Sequence, residues 1–359
     1  MKWLGVFLLL SSLSTWVMAS EKESMTWSRL GIQFEASNDL YHHQQLKLLS
    51  ASTDIAETIS NIKDEFLPSL VREYFKTKKL IIIFEKKSDT DAMFYPPTTH
   101  RESAHEEWII TLNPALTDSP KYLRIIAHEL FHAVHHLYNP EEETWIREGM
   151  AQIFEKMVFG GFNYAHIHAG LTKSNFPLEA NFDHHQYEAE KYGNTLLYFH
   201  YLNSHCGLDN ALFWTMLENR EPGRNGITEA LNRINSPHPV CQNFTTSASG
   251  YSLAKLVNNY SGFEQSPHTY ILSSDQRLQY NKTVEEQILE VPELFWSEFG
   301  SYRPMKVSLV SAIILAPTAP SETQWWALEK NYPNRVKQIQ PSEMSQLSNS
   351  WEVGFFLAN

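Results

Sequence analysis

Between Ser119-Pro120 and Asn139-Pro140 the chain has little choice but to be helical. Serine suits a helix start because its hydroxyl caps the first amides, and proline fits the first helical position because its missing N–H is not needed there. Asn-Pro suits a stop, since the residue before proline is pushed out of the helical region. Within this bracket Leu123, Ile126, Ala127, Leu130, Val134 and Leu137 recur at helical spacing and share one face. At about 100° per residue, His128 and His132 are expected to project from the opposite face. An acidic link, Glu141 to Glu143, leads to a second expected helix from Trp145 to Val158. Its apolar stripe is Ile146, Met150, Ile153, Phe154 and Met157, and Gly160-Gly161 ends it.

The first helix carries His128-Glu129-Leu130-Phe131-His132. Two imidazoles four residues apart lie one turn above the other and converge on one point, as a tetrahedral zinc site requires. Glu129 points to the side of that face. A carboxylate there can take a proton from a zinc-activated water and deliver it to a leaving amine. The motif thus supplies two ligands and a general base. His135 and His136 are read as ordinary residues of the helix face, not as ligands.

A third ligand has to come from elsewhere. The spacing HExxHxxGxxH is excluded, because its glycine position is His135 and its third-histidine position is Tyr138. The other source is a glutamate on the next helix. Trp145-Ile146-Arg147-Glu148-Gly149-Met150-Ala151 offers Glu148 in the first turn, with Gly149 permitting close approach to the HExxH helix.

With these residues the chain resembles the gluzincin superfamily, in which HExxH is followed by a glutamate ligand in a W-x-x-E-G-x-A-type helix. It is most similar to the peptidase-MA-like family of exported bacterial proteins, and more distantly to aminopeptidase N and thermolysin. The resemblance spans roughly residues 80 to 215. It implies an α+β fold: a zincin-like catalytic domain with a small β-sheet, the HExxH helix and a helical subdomain. It also implies one zinc ion per chain, with His128, His132 and Glu148 as ligands, Glu129 as base, and a peptide or protein as substrate. Two departures matter. Thermolysin-type enzymes place Asp four residues after the glutamate ligand to orient a histidine ligand; here that position is Gln152, so another group must serve. The GxMEN strand that grips a free amino terminus is absent, which argues against an aminopeptidase. Aminopeptidase-like members hold the oxyanion with a tyrosine in a Y-x-K-G context. Tyr192-Gly193-Asn194-Thr195, followed by Leu196-Leu197, resembles that position without its Lys and Gly. Tyr192 is therefore the expected donor, with Tyr187, His184 and His185 as alternatives.

The rest of the chain frames this region. Residues 20 to about 75 read as mostly helical and polar, and residues 86 to 106 as loop. Leu80 to Phe84 and Trp108 to Leu112 are β-branched runs with strand character. The second reads equally as an edge strand that pairs with extended substrate or as an ordinary core strand. Residues 186 to 235 read as helical. Beyond about 240, strand-like stretches such as Lys306 to Leu315 alternate with Pro- and Ser-rich turns. The expected organisation is a signal peptide at 1–19 and a catalytic domain at 20–239, with active-site helices at 120–158 and a helical subdomain at 186–235. A smaller, partly β accessory region follows at 240–359, for packing or substrate docking.

Met1-Lys2, the apolar stretch Trp3 to Val17 and the small residue Ala19 read as an export signal cleaved after Ala19. The mature chain is then expected in the periplasm or the medium, with no stable membrane span. Its two cysteines, Cys206 and Cys241, are expected to form one disulfide in such a compartment. A net charge of −12 argues against nucleic acid or an anionic membrane as the main partner. The expected function is an exported zinc metallopeptidase. The alternative is a non-catalytic zinc-binding protein of the same fold, acting as a binding or assembly factor.

Overall fold

The computed structural model describes residues 24–86, 91–97, 107–119, 121–172, 177–179, 182, 188–207, 210–257, 305–307, 312–313, 315–329, 336–348 and 350–358. The expected signal peptide, Pro120, His184, His185 and Tyr187 lie outside the described residues. The chain is α+β and forms two compact units. One is the chain through Leu137 together with Phe154–Gly161; the other is Tyr138–Ile153 together with the chain from Phe162.

The first unit begins with a hairpin, β1 (Ser24–Arg29) and β2 (Ile32–Ser37), where a mostly helical stretch was expected. The reason is a period of two. Ile32, Phe34 and Ala36 are buried while their neighbours are not, so the residues line one face of a sheet. Leu30 and Gly31 both take positive φ (49° and 78°), the backbone of the tight turn that suits two-residue hairpins. Helix α1 (Asn38–Glu65) follows, capped by the Ser37 hydroxyl, which accepts from the Leu40 amide at 3.3 Å. After α2 (Ser69–Thr77) come β3 (Leu80–Phe84), β4 (Ala92–Tyr95) and β5 (Trp108–Leu112). The five strands order as β1-β2-β3-β5-β4. β3 runs parallel to both β2 and β5 and is buried at four of its five positions, as expected for a strand between parallel neighbours.

One sequence expectation changes here, and of the two readings left open for Trp108–Leu112 the core strand holds. The stretch read as loop contains β4, whose four residues pair antiparallel with β5. β5 therefore has neighbours on both sides, and the outer strand is β4, not Trp108–Leu112. β5 reads as a core strand because it is one: Trp108, Ile110 and Leu112 are buried, with Tyr74, Phe75 and Phe94 around the Trp108 ring.

Asn113 caps a short 3-10 turn, Pro114–Asp118, and Ser119 Oγ accepts from the Lys121 amide at 3.4 Å as α3 (Lys121–Tyr138) begins. Tyr122 ties α3 to α1: its hydroxyl donates to Asp54 at 2.8 Å. Burial first, then the Asp54 carboxylate, holds that phenol well above its ordinary range. Burial on α3 extends beyond its apolar stripe. Phe131, Ala133 and His135 are buried along with Ile126, Ala127, Leu130 and Val134 of the apolar stripe, and His128 and His132 keep a small exposed fraction.

The second unit holds most of the remaining helices. α4 (Thr144–Phe159) starts in it and finishes in the first unit, where Gly160 closes it at φ 70°. Then come α5 (Tyr164–Thr172), α6 (Glu188–Cys206), α7 (Ala211–Glu218), α8 (Gly223–Ile234) and α9 (Phe244–Val257). The helical reading of residues 186 to 235 holds. Cys206 and Cys241 are joined, as expected, linking the end of α6 to the turn before α9. A four-stranded antiparallel sheet closes the chain: β6 (Met305–Val307), β7 (Thr323–Glu329), β8 (Val336–Ile339) and β9 (Trp351–Leu357), ordered β6-β9-β7-β8. Trp325, Ile339, Val353 and Phe355 form its core. Of the strand expected across Lys306–Leu315, Lys306 and Val307 lie in β6, while Ala312, Ile313 and Leu315 are helical. Among the described residues no helix is long and apolar enough to cross a membrane.

Glycines set the spacing of α5 and α6. A Cβ on Gly193 would lie 2.0 Å from the His166 carbonyl oxygen and 2.6 Å from the Gly170 nitrogen. Helix propensity favours alanine over glycine by about 1 kcal/mol, whereas overpacking costs about 1–3 kcal/mol. The obstacle at Gly193 is backbone, which cannot rotate aside, so the cost falls at the upper end. Gly193→Ala is expected to destabilise the protein by about 2 kcal/mol net, read from the urea midpoint at unchanged m-value.

Candidate metal centre

His128 and His132 sit one turn apart on α3, with ring centroids 4.7 Å apart and planes nearly perpendicular. Glu129 lies between them in sequence and is buried. The ligand atoms of these three residues all lie within 4.8 Å of one another, so the group can hold a metal ion.

What prepares the group is Glu155, which the sequence reading did not single out. Its Oε1 lies 2.7 Å from His128 Nδ1, and both side chains are about nine-tenths buried (10% and 12% exposed). An ionised carboxylate only accepts, so the His128 proton sits on Nδ1 and the lone pair on Nε2. That is the tautomer a metal ligand needs. Arg124 Nη1 stands 3.8 Å from the other Glu155 oxygen and donates to the Gly161 carbonyl at 2.8 Å. Arg124 thereby ties the end of α4 to α3. Phe131 stacks on Phe154 at 5.0 Å and adds apolar area to the same junction.

Glu155 supplies the orienting carboxylate that the sequence lacks at Gln152. It stands three residues further along α4, hence on the same side of the helix. The signal was present: Glu148, Gln152 and Glu155 follow the spacing i, i+4, i+7, and two of them are acidic.

The other expected site residues divide as follows. Glu148 and Tyr192 belong to the second compact unit. Glu148 is half-buried in the first turn of α4, and Tyr192 is half-buried near the start of α6. Gly149 does allow a close approach, but the group against it is Phe199 of α6: a Cβ there would lie 2.2 Å from the Phe199 ring. His135 is buried and packs edge-on to Phe131; His136 lies against Trp108 and Phe94. Both pack against aromatic rings, a role the sequence reading did not assign them.

No protein-family model matches this chain, and no curated protein matches it.

Losing the Glu155 carboxylate frees the His128 ring to rotate and to change tautomer. If the group holds a divalent metal ion, Glu155→Ala is expected to weaken its binding by about 10–100-fold, measured by competition against a chromophoric chelator.

Proposed function

We propose that this chain is an exported zinc metallopeptidase with a gluzincin-type site on a zincin-like domain. The observation that carries the reading is the convergence of His128, Glu129 and His132, with His128 already locked by Glu155 in the ligand tautomer. A site of two imidazole nitrogens and carboxylate oxygen suits zinc. The small mixed sheet, the HExxH helix and the helices after it suit a zincin-like domain. The Cys206–Cys241 disulfide suits an oxidising compartment outside the cytoplasm, in line with the signal-like start of the sequence.

In this reading His128 and His132 would hold the metal through their lone-pair nitrogens, and the resemblance of the Trp145–Ala151 segment to gluzincins assigns Glu148 as the third ligand. Zinc, when bound, supplies a Lewis acid that lowers the pKa of a water and polarises the scissile carbonyl. Glu129 takes the proton of the attacking water and returns it to the departing amine. Tyr192 donates to the carbonyl oxygen as negative charge grows on it. The region from residue 240, with its own β-sheet core, serves packing or substrate docking.

Two measurements test this. Glu148→Ala is expected to lower the zinc content of the purified mature chain well below one ion, by elemental analysis beside wild type. Glu129→Gln is expected to keep full zinc but lose cleavage of a peptide library by about 10²–10⁴-fold. Full activity in Glu129→Gln would end the mechanism. A fully zinc-loaded wild type that cleaves nothing across a broad pH range would favour the non-catalytic binding protein.

A further inference from the structure

Gln152 on α4, His166 on α5 and Tyr192 on α6 meet in the second unit, and the chemistry above leaves two of the three without a role. Gln152 Nε2 donates to the Tyr192 carbonyl oxygen at 2.9 Å, with the Glu148 carbonyl at 3.3 Å. Carbonyl oxygens only accept, so the NH2 end of the amide has to face them. The oxygen end then faces His166, whose Nδ1 lies 2.8 Å from Gln152 Oε1. An amide oxygen also only accepts, so His166 carries its proton on Nδ1. One amide, used at both ends, joins three helices.

The rings are clamped as well. His166 stacks on Tyr192 with centroids 5.1 Å apart and planes 17° apart. Phe182 meets the Tyr192 ring edge-on at 5.1 Å. Gly193, the next residue, lets the bare backbone of α5 come up against α6. Tyr192 is thus held by its carbonyl, by the face of its ring and through its neighbour in the chain.

We infer that Gln152 and His166 are positioning residues that hold the Tyr192 phenol in one direction, ready to donate to the oxyanion of the peptidase reaction. The inference rests on the peptidase reading above. A donor aimed in advance loses no rotamer freedom as charge develops, which is what makes such donors effective. His166 itself is a poor candidate for donor. Its Nδ1 proton is committed to Gln152. The arrangement also gives a reason for an amide at position 152. A carboxylate there would set a negative oxygen against the Tyr192 carbonyl, and Glu155 already does the orienting a carboxylate would do.

The test is a kinetic cycle on the zinc-loaded full chain, with a peptide that wild type cleaves. Tyr192→Phe is expected to lower kcat by about 100-fold. Gln152→Glu is expected to lower kcat about tenfold or more, with KM and zinc content changed by less than about twofold. Combining the two should cost no more than Tyr192→Phe alone, since both remove the same donor. His166→Phe, which keeps a ring but loses the N–H, serves in the same cycle if Gln152→Glu does not fold. Losses that multiply in the double variant, or an unchanged kcat in Tyr192→Phe or Gln152→Glu, would overturn the inference while leaving the peptidase intact. A zinc-loaded wild type that cleaves nothing would overturn the peptidase reading and the inference with it.

Discussion

The contact between Glu155 and His128 sets the terms for the rest of the metal group. A neutral imidazole has two nitrogens that can exchange roles, and a helix surface gives its ring room to turn. A buried carboxylate at 2.7 Å removes both freedoms at once. The contact is costly to break from one side only. Removing a single partner leaves a buried polar group unsatisfied, which typically costs about 1–3 kcal/mol. Arg124 spreads that risk. It faces the second Glu155 oxygen and bonds the Gly161 carbonyl, so one side chain answers both the charge of Glu155 and the open carbonyl beyond the end of α4.

Small residues do comparable work in the second unit. Phe199 sits where Gly149 has no side chain, and the α5 backbone sits where Gly193 has none. Each glycine adjoins a residue of the proposed chemistry, Glu148 in one case and Tyr192 in the other. Close helix approach leaves little room for rotation about the helix axis, so a side chain next to such a glycine keeps its direction. Asn194 strengthens the effect on α6. Its Oδ1 accepts from Tyr251 at 2.8 Å and from Lys255 at 2.7 Å, both on α9. Burial of Lys255 holds its ammonium well below the usual lysine range, so this bond is made at the expense of solvation.

Much of this was legible in the residues, and the reasons for the rest are physical. The HExxH helix was readable because caps and periodicity agree over eighteen residues. α4 was readable from its stripe and its terminal glycines. The β1–β2 hairpin was missed because strands of six residues carry only three inward side chains each, too few to stand out beside a polar helix of twenty-eight. β4 has four residues and no β-branched one, so its pairing with β5 is decided by tertiary contact, not propensity. Glu155 was missed for a different reason. A second carboxylate on a helix stripe is common, and only the fold of α4 back onto α3 tells this one from a solvated glutamate. Gln152 was noticed for what it is not, and its two-ended bonding became visible only with α5 and α6 in place.

The disulfide has a consequence beyond the loop it closes. Cys206 and Cys241 stand thirty-five positions apart, and α7 and α8 lie wholly between them. In the exported setting proposed above, the chain meets other peptidases. A single cut anywhere in that interval yields two pieces that stay covalently joined. Both remain anchored on α6 and α9, whose contacts through Asn194 do not pass through the cut segment. The crosslink therefore acts as insurance against nicking: damage inside the loop leaves the helix bearing Tyr192 tethered to its support.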